Sequence, residues 1–474
     1  MFGEVLAGSV CGVLIAEIAA RIPFARRLHA IRGNLDKAQR LMRSAAISDH
    51  FKERLVPVYS FRAMGASLSL MGLLVLAALP VVAAYAAAAA GMWAVEILAW
   101  PALAAMAVTS VTWLAVRVRR GSRSANGVES NRYAPLDRAL HRLALSTLAM
   151  RELAFDLEKS RFLVQAPPTP TGNVFVCGLA RSGTTALLDA LSRAGDLASL
   201  RYQDMPFVLA PNTWSRIARP SRNADLRERA HGDGILINAQ SPESFEEVFW
   251  SLFEGTSTRT MDALRPHTID HEPLAAFRSY MRLVCLRYGA SRYLSKNNTN
   301  IYRLDALAAA LPDSRFLVPF RRPAEQAQSL IRQHSRFAAS PSFEADYMGW
   351  IGHYEFGATL KPVAFGGSLR PGLDPVAPDY WLDVWIRSYD YLREVAGQHA
   401  NIRLVCYEDM AGANPAYVAG VGSFTGTVLD PEDFRPAAAR DGGAAFDPAL
   451  LAMANGLYER MRASESEGER AGSP

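Results

Sequence analysis

The sequence predicts an α/β fold of P-loop type, a parallel sheet with helices on both faces, preceded by an α-helical membrane hairpin. Three observations carry this. From Asn173 onward, short apolar runs alternate with helical stretches, the pattern of strands covered on both faces. The first run passes through a glycine-bounded turn directly into an amphipathic helix, as in a phosphate-binding loop. Far upstream, Leu68 to Ala90 has no charged residue and, at about 1.5 Å per residue, is long enough to cross ~30 Å of hydrocarbon.

In chain order, Val5 to Ala20 is apolar, but Glu4 precedes it, Glu17 interrupts it, and Arg21, Arg26 and Arg27 follow. That pattern suits an interfacial or amphipathic helix better than a cleaved signal peptide, and the sequence leaves open whether the segment is interfacial or a third span. Residues 29–64 read as a polar, largely helical, membrane-proximal region with Arg32, Lys37, Arg40 and Arg43. Leu68 to Ala90 is the first span. Ala94 to Val116, with Glu96 near its start, is the second, joined to the first by a tight turn around Gly91 to Trp93. Lys52, Arg54 and Arg62 precede the hairpin, Arg117, Arg119, Arg120 and Arg123 follow it, and the turn has neither Lys nor Arg. The positive-inside rule then makes this a two-span membrane protein with its catalytic domain facing the cytoplasm.

Gly121 to Asn131 is a polar linker. Residues 135–164 read as one helix with Leu136, Leu140, Leu143, Met150 and Leu157 on one stripe and Leu145 and Leu148 off it, stopped by Pro167, Pro168 and Pro170. Strands are expected at Val174–Cys177, Arg315–Pro319 and Ile402–Cys406. The Gly- and Pro-rich stretch from His353 to Asp379 reads as a long substrate-side loop, and Ala463 to Pro474 as a disordered tail. The expected regions are thus 1–64, the hairpin 65–117, a linker and helix 118–172, the catalytic domain 173–460 and the tail 461–474.

Composition bounds the partners. With 50% hydrophobic and 20% charged residues, the chain is neither collagenous nor wholly disordered. The net charge of +5 owes much to arginines flanking the spans, so anionic lipid headgroups, not nucleic acid, are the expected counterpart. Cys11, Cys177, Cys285 and Cys406 have no metal-ligand spacing and no dense framework, which predicts no metal and a reducing compartment.

The chemistry centres on Gly178 to Thr185, GLARSGTT. Backbone amides at a helix start lack partners and carry partial positive charge, so they hold a phosphate or sulfate, and the glycines let the main chain close around it. Against the nucleotide-triphosphatase pattern, Gly178 and Gly183 fit, but Thr184 stands where lysine belongs. A triphosphate loses its main countercharge there. A carrier with one 5′-phosphate and a sulfonyl group asks for less.

Arg181 to Thr185, RSGTT, resembles the first cofactor motif of the sulfotransferases, in the arginine form of the tyrosylprotein, carbohydrate and related bacterial enzymes. Downstream, a strand followed by Arg321, Pro323 and Ser329 resembles the second motif, R-x-P and a serine. Weaker likenesses are the stretches starting at Ser295, at Cys406 and at Phe245, so that the resemblance covers about residues 173–425. It implies 3′-phosphoadenosine 5′-phosphosulfate (PAPS) as co-substrate, with Arg181, Ser182, Gly183, Thr184 and Thr185 at its 5′-phosphosulfate and Arg321 and Ser329 at its 3′-phosphate. A guanidinium forking onto a phosphate fits that role.

Sulfuryl transfer is an in-line displacement that needs cations on the transferring group and a base near the acceptor hydroxyl. Arg181 and Lys296 are the expected cations. For the base, the resemblance points to Asp204, in a stretch where the family has glutamate and slightly different spacing, while Glu243, Glu246 and Glu247 form a second set with Glu246 or Glu247 facing the cleft from a helix. His334 lies near the second motif, and His267 with His271 has metal-pair spacing but no accompanying H-E-x-x-H glutamate. The acceptor is expected to be a hydroxyl on a lipid or glycan brought to the membrane, with a peptide or a small metabolite as the other options. A membrane-anchored P-loop kinase or nucleotide-binding module is the alternative function.

Overall fold

The computed structural model describes residues 2–21, 49–90, 99–123, 135–193, 195–218, 227–228, 236–253, 261–340, 342–365, 374–434 and 444–471. The chain divides into two units, Met1–Asp137 and Arg138–Pro474.

The first unit contains the helices Phe2–Arg21, Asp49–Ala89 and Trp100–Arg123. Ser67–Ala89 is long and apolar enough to cross a membrane, with only 6% of it buried. The predicted turn Gly91 to Trp93 and Glu96 lie outside the described residues, as do residues 29–48 of the expected polar arm. The helix covering the second predicted span starts at Trp100 and runs past Val116 to Arg123.

Phe2–Arg21 differs from the interfacial helix expected. Its buried face consists of small residues, Ala7, Gly8, Cys11, Gly12 and Ala16, while Val5, Leu6, Val10 and Leu14 are exposed. No charged face separates the two, because Glu17 accepts a hydrogen bond from Trp113 Nε1 (3.1 Å) on the neighbouring helix.

The second unit is built on a parallel sheet. Its strands are β1 (Val174–Val176), β2 (Leu197–Ala198), β5 (Arg292–Lys296), β6 (Arg315–Phe320) and β7 (Ile402–Cys406), in the order β2-β5-β1-β6-β7. A small antiparallel pair, β3 (Arg227–Glu228) and β4 (Leu236–Ile237), stands apart from it. β1 is central, with Val174 opposite Leu294 of β5 and opposite Arg315 of β6. All three β1 residues are fully buried, which explains its unbroken apolar run. Chain order reverses across β1, so the carboxyl ends of β5, β1 and β6 flank a crevice of the kind in which open α/β sheets bind ligands.

Helices Thr184–Ser192, His271–Tyr288, Pro323–Ala338, Pro378–Gln398 and Pro448–Ala471 accompany the sheet. The core is strongly aromatic. Phe175 stacks on Phe316 (4.9 Å between centroids), and Phe277 meets Trp250 (4.6 Å) and Phe249 (5.3 Å). Burying each such ring contributes about 1.5–3 kcal/mol.

Three sequence expectations change. The single helix over 135–164 is two, Pro135–Leu145 and Leu148–Phe162, broken where extended Thr147 caps the second by accepting from the Met150 amide. Leu143 and Leu157 of the expected stripe are exposed, and the second helix instead buries Arg151, Phe155, Glu158 and Phe162. Apolar periodicity misses a face that includes buried charges. Glu158 can be buried because it accepts from the Asn212 and Thr213 amides (2.7 and 3.0 Å) at the start of another helix. The expected tail is also helical: Pro448–Ala471 continues through it, held by buried Leu450, Ala454, Leu457, Tyr458 and Met461. Finally, β5 was not anticipated, since its polar sequence Arg-Tyr-Leu-Ser-Lys hides a strand buried by its neighbours.

Candidate active site

The loop after β1 carries two left-handed residues. Gly183 (φ 99°) faces the Tyr407 ring so closely that a Cβ would lie 2.6 Å from Cδ2, so both conformation and space demand glycine. Arg181 (φ 69°) adopts a region that costs an L-residue about 1–2 kcal/mol. Ser182 is buried and donates to Leu179 O (2.7 Å), closing the turn from within. Gln326, from the helix after β6, donates to Ala180 O (3.0 Å) and accepts from Trp385 Nε1 (3.0 Å). The loop backbone is thus fixed from two other helices, and Thr184 and Thr185 open the helix that follows.

The second motif lies alongside. β6 ends at Phe320, Arg321 follows, Pro323 opens the helix Pro323–Ala338, and Ser329 is buried on it. Arg181 Nε donates to Ser329 Oγ at 2.9 Å, joining groups 148 positions apart in the chain. The Arg321 guanidinium lies over the Tyr407 ring (4.7 Å) and pairs with Glu325 (2.7 Å). Partial burial pushes the Glu325 carboxyl up, but Arg321 and Arg322 outweigh it and hold the group below its ordinary value. The Tyr407 ring therefore bridges Gly183 of one motif and Arg321 of the other.

Lys296 ends β5, beside β1, and is buried with its Nζ 3.8 Å from Glu243 Oε1. Glu243 also accepts from the Tyr202 hydroxyl and from the Ser244 amide (2.8 Å). Asp204 and Glu246 are differently placed. Asp204 is buried, accepting from the Arg201 amide (2.8 Å) and the Tyr288 hydroxyl (2.6 Å). Burial raises its pKa, against the lowering effect of those bonds and of Arg287.

Glu246 does not face a cleft from a helix. It is buried and accepts from Trp250 Nε1 (2.9 Å), Asn300 Nδ2 (2.7 Å) and the Tyr293 hydroxyl (3.0 Å). Glu247, also buried, pairs with Arg303 (2.7 Å) and accepts from Thr299 Oγ1 (2.6 Å). Both acids hold the 3-10 turn Asn298–Tyr302 that follows Lys296, and so fix where that lysine sits. His334 accepts from the Gly357 amide (3.2 Å), and burial lowers its pKa, favouring the neutral ring that this bond requires.

Gln326 and Tyr407 gave no functional signal beyond their motifs. Nor did Glu355, which is 9% exposed with neither carboxylate oxygen hydrogen-bonded among the described residues. Its nearest charge partner is His353 Nδ1 (3.4 Å). Glu355 lines a cavity of about 10 Å³, shared with Leu179 and Ala180 of the loop and with Tyr302 and Trp381, space for roughly one water.

Residues 173–360 match the profile described as the sulfotransferase family. No curated protein sequence matches the chain. Among solved structures, the chain is similar to sulfotransferase STF1 from Mycobacterium tuberculosis H37Rv, at 16% identity over 73% of this chain and 90% of that one, with a TM-score of 0.41. It is similar to sulfotransferase STF9 from Mycobacterium avium at 14% identity, over 69% and 77%, with a TM-score of 0.39. A sulfotransferase from Alicyclobacillus acidocaldarius aligns at 17% identity, over 64% and 96%, with a TM-score of 0.32. The loop Gly178–Thr185, Lys296 and the Arg321–Ser329 segment all lie inside the matched stretch, so it is residues 173–360 that are similar to the sulfotransferase family.

Proposed function

We propose that the chain is a membrane-anchored, PAPS-dependent sulfotransferase acting on a hydroxyl acceptor. The observation that supports this reading is the bond from Arg181 Nε to Ser329 Oγ, by which the two motifs meet. The donors suit a nucleotide with anions at both ends. Loop amides with Arg181, Thr184 and Thr185 would hold the 5′-phosphosulfate, and Arg321 with Ser329 the 3′-phosphate. PAPS supplies the sulfuryl group. The acceptor oxygen bonds to sulfur, the bond from sulfur to the 5′-phosphate oxygen breaks, and the acceptor's proton passes to a protein base.

Arg181 and Lys296 offset charge on the transferring group. Glu243, held by Tyr202 and 3.8 Å from Lys296, is the carboxylate best placed to take the proton. Asp204 and Glu246, with their acceptor oxygens occupied in the core, act as positioning residues. Ser67–Ala89 and the basic flanks support a membrane anchor with the catalytic unit in the cytoplasm, and that location favours a lipid or membrane-delivered glycan as acceptor.

The test is thermal unfolding of the purified full chain with 3′-phosphoadenosine 5′-phosphate (PAP) or with ATP. At 100 times Kd, PAP stabilises by about 2.7 kcal/mol. A rise in Tm with PAP and little with ATP is expected. Stabilisation by ATP alone would sink the reading.

A further inference from the structure

Phe2–Arg21 lies side by side with Trp100–Arg123, in parallel. A Cβ on Gly8 would sit 2.2 Å from Ala102 O, and one on Gly12 2.2 Å from Thr109 Oγ1. Thr109 Oγ1 donates to Ser9 O (3.3 Å), Ser110 Oγ to Gly12 O (2.9 Å) and Trp113 Nε1 to Glu17 Oε2 (3.1 Å). Partners therefore advance together along both helices, from Gly8 with Ala102 to Glu17 with Trp113. Cys11 Sγ reaches Pro80 O (3.6 Å) on Asp49–Ala89, and Ala7, Cys11, Ala84 and Ala102 form one small buried cluster.

The pattern is inverted relative to a water-soluble bundle. Small residues are inside, serine, threonine and glutamate groups bond between helices, and the large apolar residues face out: Val5, Leu6, Val10 and Leu14 on one helix, Met71, Val75, Leu79 and Val82 on another, Leu103 and Val108 on the third. Closely packed glycines four apart, with polar groups turned inward, are how helices associate in lipid, where apolar burial gives no driving force between them. Water would leave that exterior as a large unfavourable apolar surface. An interfacial helix lies across the spans, not along them.

We propose that Phe2–Arg21 is a third membrane span, and that the first unit is a three-helix bundle whose occupied outer surface is lipid acyl chain. Charge agrees. Arg21 ends the first helix with Arg26 and Arg27 beyond it, Lys52, Arg54 and Arg62 lie on Asp49–Ala89 ahead of its apolar stretch from Ser67, and Arg117, Arg119, Arg120 and Arg123 end Trp100–Arg123, whereas residues 91–98 include no Lys or Arg. Three spans put Gly3 and Arg123 on opposite sides of the bilayer, with Gly3 outside. This rests on the membrane reading but not on the sulfotransferase reading.

Single-cysteine accessibility in the full chain tests it. Gly3→Cys, on an exposed helix start, and Ser464→Cys, in the second unit, are each treated with a membrane-impermeant maleimide before and after permeabilisation of spheroplasts. The native cysteines are buried and give a low background. Labelling of Gly3→Cys in intact spheroplasts, with Ser464→Cys labelled only after permeabilisation, is expected. Protection of both until permeabilisation overturns the third span while leaving a two-span anchor. Release of the chain from membranes by alkaline carbonate overturns the membrane reading itself, and neither result touches PAP binding.

Discussion

Arg181 combines an unfavourable backbone with a specific partner. Its left-handed conformation is held because Ser182 closes the turn on Leu179 and Gln326 grips Ala180, and it aims the guanidinium at Ser329. Strain of this kind persists where the surroundings over-determine it, commonly at binding sites. Ser329→Ala removes a hydroxyl from the proposed 3′-phosphate site. A hydrogen bond to a charged group contributes about 1.5–3 kcal/mol, so PAP should bind roughly 10–100-fold more weakly, measured by calorimetric titration. Unchanged affinity would remove Ser329 from the site. Arg181, Arg321 and Ser329 were legible in the sequence because each stands at a fixed offset from a strand end. Glu243 was not separable from Glu246 and Glu247, because three acids within five positions differ only in what the fold brings to meet them. Glu243 meets Lys296, Glu246 meets Trp250 and Tyr293, and Glu247 meets Arg303.

At the scale of elements, helix starts do much of the organising. The helix Thr184–Ser192 begins where the loop ends at Gly183, Glu158 satisfies the first amides of Pro211–Ile217, and Thr147 restarts a helix that leucine spacing alone reads as continuous. In the first unit, the elements are organised by close approach. Gly12→Leu would drive a branched side chain into Thr109 and Met106. Overpacking costs about 1–3 kcal/mol, so the Tm of the detergent-solubilised chain should fall by several degrees, whereas Leu14→Ala on the exposed face should leave it nearly unchanged. Equal effects from the two substitutions would contradict the observed packing face.

For the whole molecule, the aromatic core of the second unit is assembled, among the described residues, from positions between Ala144 and Met461. Residues 138–474 expressed alone should therefore fold and bind PAP with the affinity of the full chain. A loss of more than about tenfold, roughly 1.4 kcal/mol, would mean that the first unit contributes to the site. By itself the sequence determined what local chemistry determines: a glycine-bounded loop between a buried strand and a helix, a second arginine–serine motif, an uncharged run of membrane length, and basic flanks. These depend on residues close together in the chain, where backbone preference and side-chain type act directly. Only the tertiary structure decided which acid stands beside Lys296, that Arg181 meets Ser329, that β5 is a strand, and that the first helix lies along another on a seam of small residues. Each of these depends on what a distant segment supplies, a partner for a buried charge or room for a close approach, and no spacing along the chain encodes that.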